Sequence, residues 1–146
     1  MTSLLSWLPF PFPSSAPKNF GERGELAAAR FLKRVGYRIV TTRLRKRYGE
    51  IDIIAVDYSG ECETVVFVEV KTRRRDDNTQ PAEAVDSNRQ RRLTNAALAF
   101  LKGHGLLDYA SRFDVVEVVW PDGQRHPNVR HIIDAFPAVG KGQMYN

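Results

Sequence analysis

Residues 65–68 read Val-Val-Phe-Val, and the same stretch then places Glu69 and Lys71 two residues apart before running into Arg73-Arg74-Arg75. A strand exposed on one face alternates apolar and polar residues, so an unbroken apolar run marks a strand buried on both faces. FDVVEVVW (113–120) has the same character and is read as a second interior strand. YRIVTTRLR (37–45), GEIDIIAVD (49–57) and VRHIIDAF (129–136) complete a predicted set of five strands, the last at a sheet edge. Residues 49–57 and 63–73 flank a Tyr58-Ser59-Gly60 turn and are expected to pair as an antiparallel hairpin.

Two helices accompany the strands. Phe20, Gly24, Ala27, Ala28, Phe31, Leu32 and Val35 recur at helical spacing over 20–35, with Gly36 placed to end the helix. Ser87-Asn88-Arg89-Gln90 has the form of a capping box, Ser87 at N-cap and Gln90 at N3. The helix it opens runs to about Lys102, with Gly103 and Gly105 as stops. The order predicts an α/β fold: a mixed sheet of about five strands flanked by helices.

The 146 residues suggest a single domain. Residues 1–18 and 138–146 are expected to be flexible tails around a domain at 19–137. Pro9, Pro11 and Pro13 interrupt the apolar start, which differs from a signal peptide, while Trp7, Phe10 and Phe12 could dock on a partner protein. Cys62 stands alone, which rules out an internal disulfide and suits a reducing cytoplasm. No run reaches the roughly 18 apolar residues of a membrane span. Lys and Arg outnumber Asp and Glu by 22 to 17, favouring a polyanionic partner.

Alternation puts Glu69 and Lys71 on one face of their strand, and the paired strand carries Asp52 between Ile51 and Ile53. Adjacent carboxylates repel, and a hard cation such as Mg²⁺ or Mn²⁺ relieves that repulsion. Asp52 and Glu69 are therefore candidate metal ligands. Lys71 is a candidate for orienting an attacking water, and Glu25, on the margin of the first helix, for a third carboxylate. Structural ion pairs at a sheet edge are the competing reading. Glu50 is either a further ligand or a partner of Arg43, Arg45 or Arg47.

Three clusters hold ten of the 22 basic residues: Arg43-Arg45-Lys46-Arg47, Arg73-Arg74-Arg75 and Arg89-Arg91-Arg92. Arg43, Arg45, Arg47, Arg73, Arg74, Arg75, Arg89 and Arg92 are candidate contacts to a nucleic-acid backbone, against the alternative of a solvated face. His104, His126 and His131 lack metal-ligand spacing and are read as surface residues. Asp114 is expected to pair with Arg112 or cap a turn.

GERGELAA (21–28), RYGEIDIIAVD (47–57), VVFVEVKTR (65–73), the segment PAEAV…RL (81–93) and RFDVV (112–116) together resemble the YraN-type family of predicted endonucleases. That family is similar to archaeal Holliday junction resolvases within the PD-(D/E)xK nuclease superfamily. The resemblance implies a restriction-endonuclease-like core with Glu25, Asp52, Glu69 and Lys71 on the nuclease signature. It also implies metal-dependent hydrolysis of DNA phosphodiesters, branched or otherwise structured DNA as a candidate substrate, and a homodimer as the candidate assembly. Ile51 stands where the superfamily's nominal Pro would be, and Arg89 where Lys is usual. The alternative is a nucleic-acid-binding protein that keeps the fold without turnover.

Overall fold

A computed structural model describes residues 16–75 and 85–139. The first fifteen residues, the last seven and 76–84 lie outside it. With them go Trp7, Phe10 and Phe12 and most of the two expected tails.

The chain runs α1 (Phe20–Arg34), β1 (Arg38–Lys46), β2 (Gly49–Asp57), β3 (Thr64–Arg73), α2 (Ser87–Gly103), β4 (Ala110–Val119) and β5 (Asn128–Phe136). The five strands form one sheet in the order β1-β2-β3-β4-β5. The pairs β1–β2, β2–β3 and β4–β5 are antiparallel, and β3–β4 is parallel. A parallel neighbour needs a crossover, and α2 lies within the segment that supplies it. The sheet is mixed and the fold is α/β, a restriction-endonuclease-like core.

The helices cover opposite faces, which is why the central strands tolerate no polar alternation. Ile53, Val66, Val68, Val116 and Val118 pack with Ala28, Ala29 and Leu32 of α1. Ile54, Val65, Phe67, Phe113 and Val115 pack with Leu93, Ala97 and Phe100 of α2. Gly24 brings α1 close to β3, since a Cβ there would lie 1.9 Å from Thr72 Oγ1. Glycine is the residue that permits so close an approach.

The helix ends explain their bounds. Asn19 caps α1, its side chain accepting from the Glu22 N–H at 2.9 Å. Gly36, at φ +103°, turns the chain out, and the Tyr37 N–H returns to the Leu32 carbonyl at 2.9 Å. The second helix closes in the same way at Gly105, whereas Gly103 is its last helical residue.

Three expectations are corrected. Asp86, rather than Ser87, caps α2, because its carboxylate accepts the Arg89 N–H at 2.8 Å. Gln90 does not close a capping box, since its Nε2 donates to the Val85 carbonyl at 2.8 Å. His131 is no ordinary surface residue: its side chain is 9% exposed, and its ring bonds to Asp114 at 2.8 Å.

Asp114 itself is fully buried and holds together an interior network. It accepts from Arg112 and His131 and from the Asp134 N–H, beside a bulge in the β4–β5 ladder. Arg112 also reaches Asp57 at 2.9 Å and the Tyr37 hydroxyl at 2.8 Å. Burial opposes its charge, but the bonds to Asp114 and then Asp57 outweigh that and raise its pKa.

Candidate active site

The β2–β3 ladder runs from Asp57 opposite Thr64 to Ile53 opposite Val68. One step further, the register sets Asp52 opposite Glu69, and there the main-chain pairing stops. Asp52 Oδ2 instead accepts the Val70 N–H at 2.9 Å, so a side chain takes the place of a ladder carbonyl. That bond fixes one carboxylate in the opening between two strands whose apolar halves are locked into the core.

Asp52 and Glu69 are 7% and 4% exposed, and their carboxyl groups interact directly. Two buried carboxyl groups this close oppose one another's ionisation. Burial, and then the bond and charge of Glu69, push Asp52 well above the usual carboxylate range. Burial acts on Glu69 in the same direction but is outweighed by Asp52 and Arg89, and its pKa is lowered. The surroundings thus favour the neutral form of Asp52 and the charged form of Glu69.

The Glu69 charge is met by Arg89. Its Nε lies 2.7 Å from Oε2 and its Nη2 3.3 Å from Oε1, a two-pronged pair between the first turn of α2 and the middle of the sheet. Lys71, two residues along β3, is partly buried and adds a further attractive charge toward Glu69.

Glu25 reaches the site from α1 and stands beside Asp52. Its Oε2 is buried without a hydrogen-bond partner, and burial raises its pKa against the pull of Arg45 and Arg43. Arg45 spans three acids: Glu25 at 3.6 Å, Asp52 at 3.7 Å and Glu50 at 3.7 Å. Arg43 pairs closely with Glu22 and stands 4.0 Å from Glu25. Beside these residues a polar cleft of about 530 Å³ opens between the start of α1 and β1.

All four predicted catalytic residues therefore gather at one place, on α1, β2 and β3. The predicted nucleic-acid arginines divide. Arg43, Arg45 and Arg89 face carboxylates of the site, and Arg74 pairs with Asp122 while covering the Phe20 ring. Arg47, Arg75 and Arg92 are exposed, and Arg73 is partly buried at the end of β3. Glu50 is exposed and pairs with Arg45, the second of its two alternatives. Among the described residues, no three His, Cys, Asp or Glu side chains gather as a metal-holding group.

Glu117 escaped the sequence reading. It stands opposite Lys71 in the β3–β4 register, 1% exposed. One oxygen takes a bond from Arg130 at 3.1 Å, and the other has no partner. The signal that exposed Glu69, a charge inside an apolar strand, was equally present in Val-Val-Glu-Val-Val.

The Uncharacterised protein family UPF0102 matches residues 24–118, the span from α1 to the end of β4. The chain belongs to this family. Members similar to it include UPF0102 protein RB9115 of Rhodopirellula baltica, 45% identical over 126 residues, or 86% of this chain and 74% of that one. UPF0102 protein GSU0650 of Geobacter sulfurreducens is 45% identical over 121 residues, 82% of this chain and 89% of its own. A UPF0102 protein of Alkaliphilus metalliredigens is 44% identical over 102 residues, 70% and 86% of the two chains. The sequence resemblance to the YraN-type family thus stands, and the UPF0102 match takes in Glu25, Asp52, Glu69, Lys71 and Arg89.

Proposed function

We propose that this UPF0102 protein is a divalent-metal-dependent hydrolase of DNA phosphodiester bonds, with Asp52 and Glu69 as metal ligands. The observation that carries the reading is the buried Asp52–Glu69 pair, set face to face at the point where β2 and β3 part. A protein core has no packing reason to hold two carboxyl groups together, because each costs desolvation and each opposes the other's charge. A cation between them would satisfy both. Mg²⁺ is commonly held by one or two carboxylates with water completing its shell, so this donor set suits it without a third protein ligand.

A cation held there would polarise the phosphate and acidify a bound water. The chain's own residues divide the remaining work. Lys71 orients the water through its ammonium group, on the same strand face as Glu69. Glu25 supplies a further carboxylate beside Asp52. Arg89 and Arg45 lie close enough to the acids to receive phosphate oxygens, though each must exchange a carboxylate for the phosphate.

That last feature favours a second reading, a DNA-binding protein without turnover. Arg45 and Arg89 already neutralise much of the acidic cluster, so the site is electrostatically coherent with no cation.

The two readings separate on incubation with duplex, single-stranded and four-way-junction DNA in Mg²⁺, Mn²⁺ or EDTA. Hydrolysis predicts cutting in a metal, none in EDTA, and a loss of about 100-fold or more in Lys71→Ala and Asp52→Ala. Absence of cutting in every metal, or cutting unchanged in both variants, rejects it. Salt-sensitive binding that survives both substitutions supports the second.

A further inference from the structure

The arginines nearest the candidate site are committed to carboxylates; a different set is not. At 100° per residue, Arg23, Arg30 and Arg34 fall within about 40° of one another on α1. They lie on the flank away from Glu22 and Glu25. Two adjoining depressions of about 180 and 460 Å³ run along that flank and share Ala27, Arg30 and Trp120. Arg23 borders the first, and Arg34, Arg125 and His126 the second. No Asp or Glu lines either. Among the described residues, none of the four arginines has a carboxylate partner.

The groove is built on firm supports. Trp120 forms its floor, its main-chain N–H bonded to the Arg73 carbonyl at 2.7 Å and its indole N–H to the Gln124 carbonyl at 2.9 Å. The Arg23 guanidinium lies 4.4 Å from the indole centroid. The turn at Pro121–Gln124 leads directly into Arg125.

We propose that this groove binds the phosphate backbone of DNA beyond the cleavage site, as a second contact surface. A concave surface of one sign focuses potential and concentrates counter-ions. Arg23 and Arg34 stand eleven residues apart on α1, about 16 Å along the axis, or roughly five base steps of a duplex strand. The groove and the acidic site occupy opposite flanks of a helix about 10 Å across, and β3 joins them, with Lys71 two residues before Arg73. Charge decides the occupant: Arg23, Arg30, Arg34 and Arg125 border the groove and no Asp or Glu lines it.

The proposal rests on the nucleic-acid reading for the identity of the polyanion, and not on cleavage. Its test is titration of a duplex of about thirty base pairs in EDTA across a salt series, comparing wild type with Arg30→Gln/Arg34→Gln/Arg125→Gln. At about 0.9 per phosphate contact, the slope of log affinity against log salt should fall by about 2.7. Affinity near 0.1 M salt should fall roughly tenfold or more. Circular dichroism checks the fold; should the triple variant not fold, the single variants each lower the slope by about 0.9.

An unchanged slope and affinity overturns the proposal, whether or not the protein cuts DNA. So does a loss seen on anionic phospholipid vesicles with duplex binding intact. A groove-dependent slope in a protein that cuts nothing in Mg²⁺ or Mn²⁺ retires the hydrolase reading and leaves the groove standing.

Discussion

Asp52 is the residue on which the site turns, because it serves two masters. One oxygen completes the backbone of β3 through Val70, and the carboxyl group as a whole faces Glu69. Its raised pKa has a consequence for stability. In the unfolded chain an Asp titrates near about 3.9. A group whose folded pKa lies above that value stabilises the fold fully below about pH 3.9, and the contribution fades as pH rises through the folded value. Glu69, with a lowered pKa, contributes with the opposite sign, so the comparison must isolate Asp52. Asp52→Asn does so: the amide still accepts from Val70 and can donate to Glu69, but it does not titrate. Urea unfolding in EDTA, followed upward from about pH 4, should therefore show stability falling less steeply with pH in Asp52→Asn than in wild type. Parallel profiles would remove the raised Asp52 pKa from the account.

At the scale of elements, the start of α2 shows how a site is assembled from a cap. Asp86 holds the Arg89 N–H while the Arg89 side chain holds Glu69, so one turn of helix links the cap to the carboxylates of the candidate site. Asp86→Ala should cost about 1 kcal/mol in chemical denaturation, and Ser87→Ala only a few tenths. The reverse order would restore the capping box that the sequence suggests. The same turn marks the limit of what the sequence discloses. The β2–β3 hairpin and the meeting of Asp52 with Glu69 were legible, because a charge inside an apolar strand stands out and a short turn fixes the register. The partner of Glu69 was not. Arg89 lies twenty residues away at the start of α2, and nothing in a run of arginines says which of them turns inward. Arg43 and Arg45 look like a phosphate-binding cluster, yet they face Glu22, Glu25 and Asp52. The groove arginines carried no local signal, since Arg30 of α1 and Arg125 of the loop after β4 approach only through the fold. Local pattern fixes elements and faces; ion pairing depends on packing between them.

Among the described residues, two clusters of buried charge have opposite design. Around Asp52 the acids exceed what the fold needs, setting two buried carboxyl groups together and leaving a Glu25 oxygen without a hydrogen bond. Around Asp114 every acid has its partner: Asp57 and Asp114 enclose Arg112, and His131 and the Asp134 N–H complete the shell. Five residues separate Asp52 from Asp57 on β2, about 16 Å of strand, so the two clusters sit toward opposite ends of the hairpin. An unbalanced cluster suits a site that takes a cation or a phosphate, and a balanced one suits a brace. Asp114→Ala should accordingly leave Arg112 with one acid and His131 with none, and cost about 3–5 kcal/mol in urea unfolding. Tested at a temperature where the variant remains folded by circular dichroism, its affinity for duplex DNA should equal that of wild type. A loss below about 1 kcal/mol would mean that Asp57 and water suffice for Arg112. A fall in DNA affinity in the folded variant would instead couple the brace to the binding surface, through α1, whose C-terminal end packs Phe31 and Tyr37 against the His131 ring.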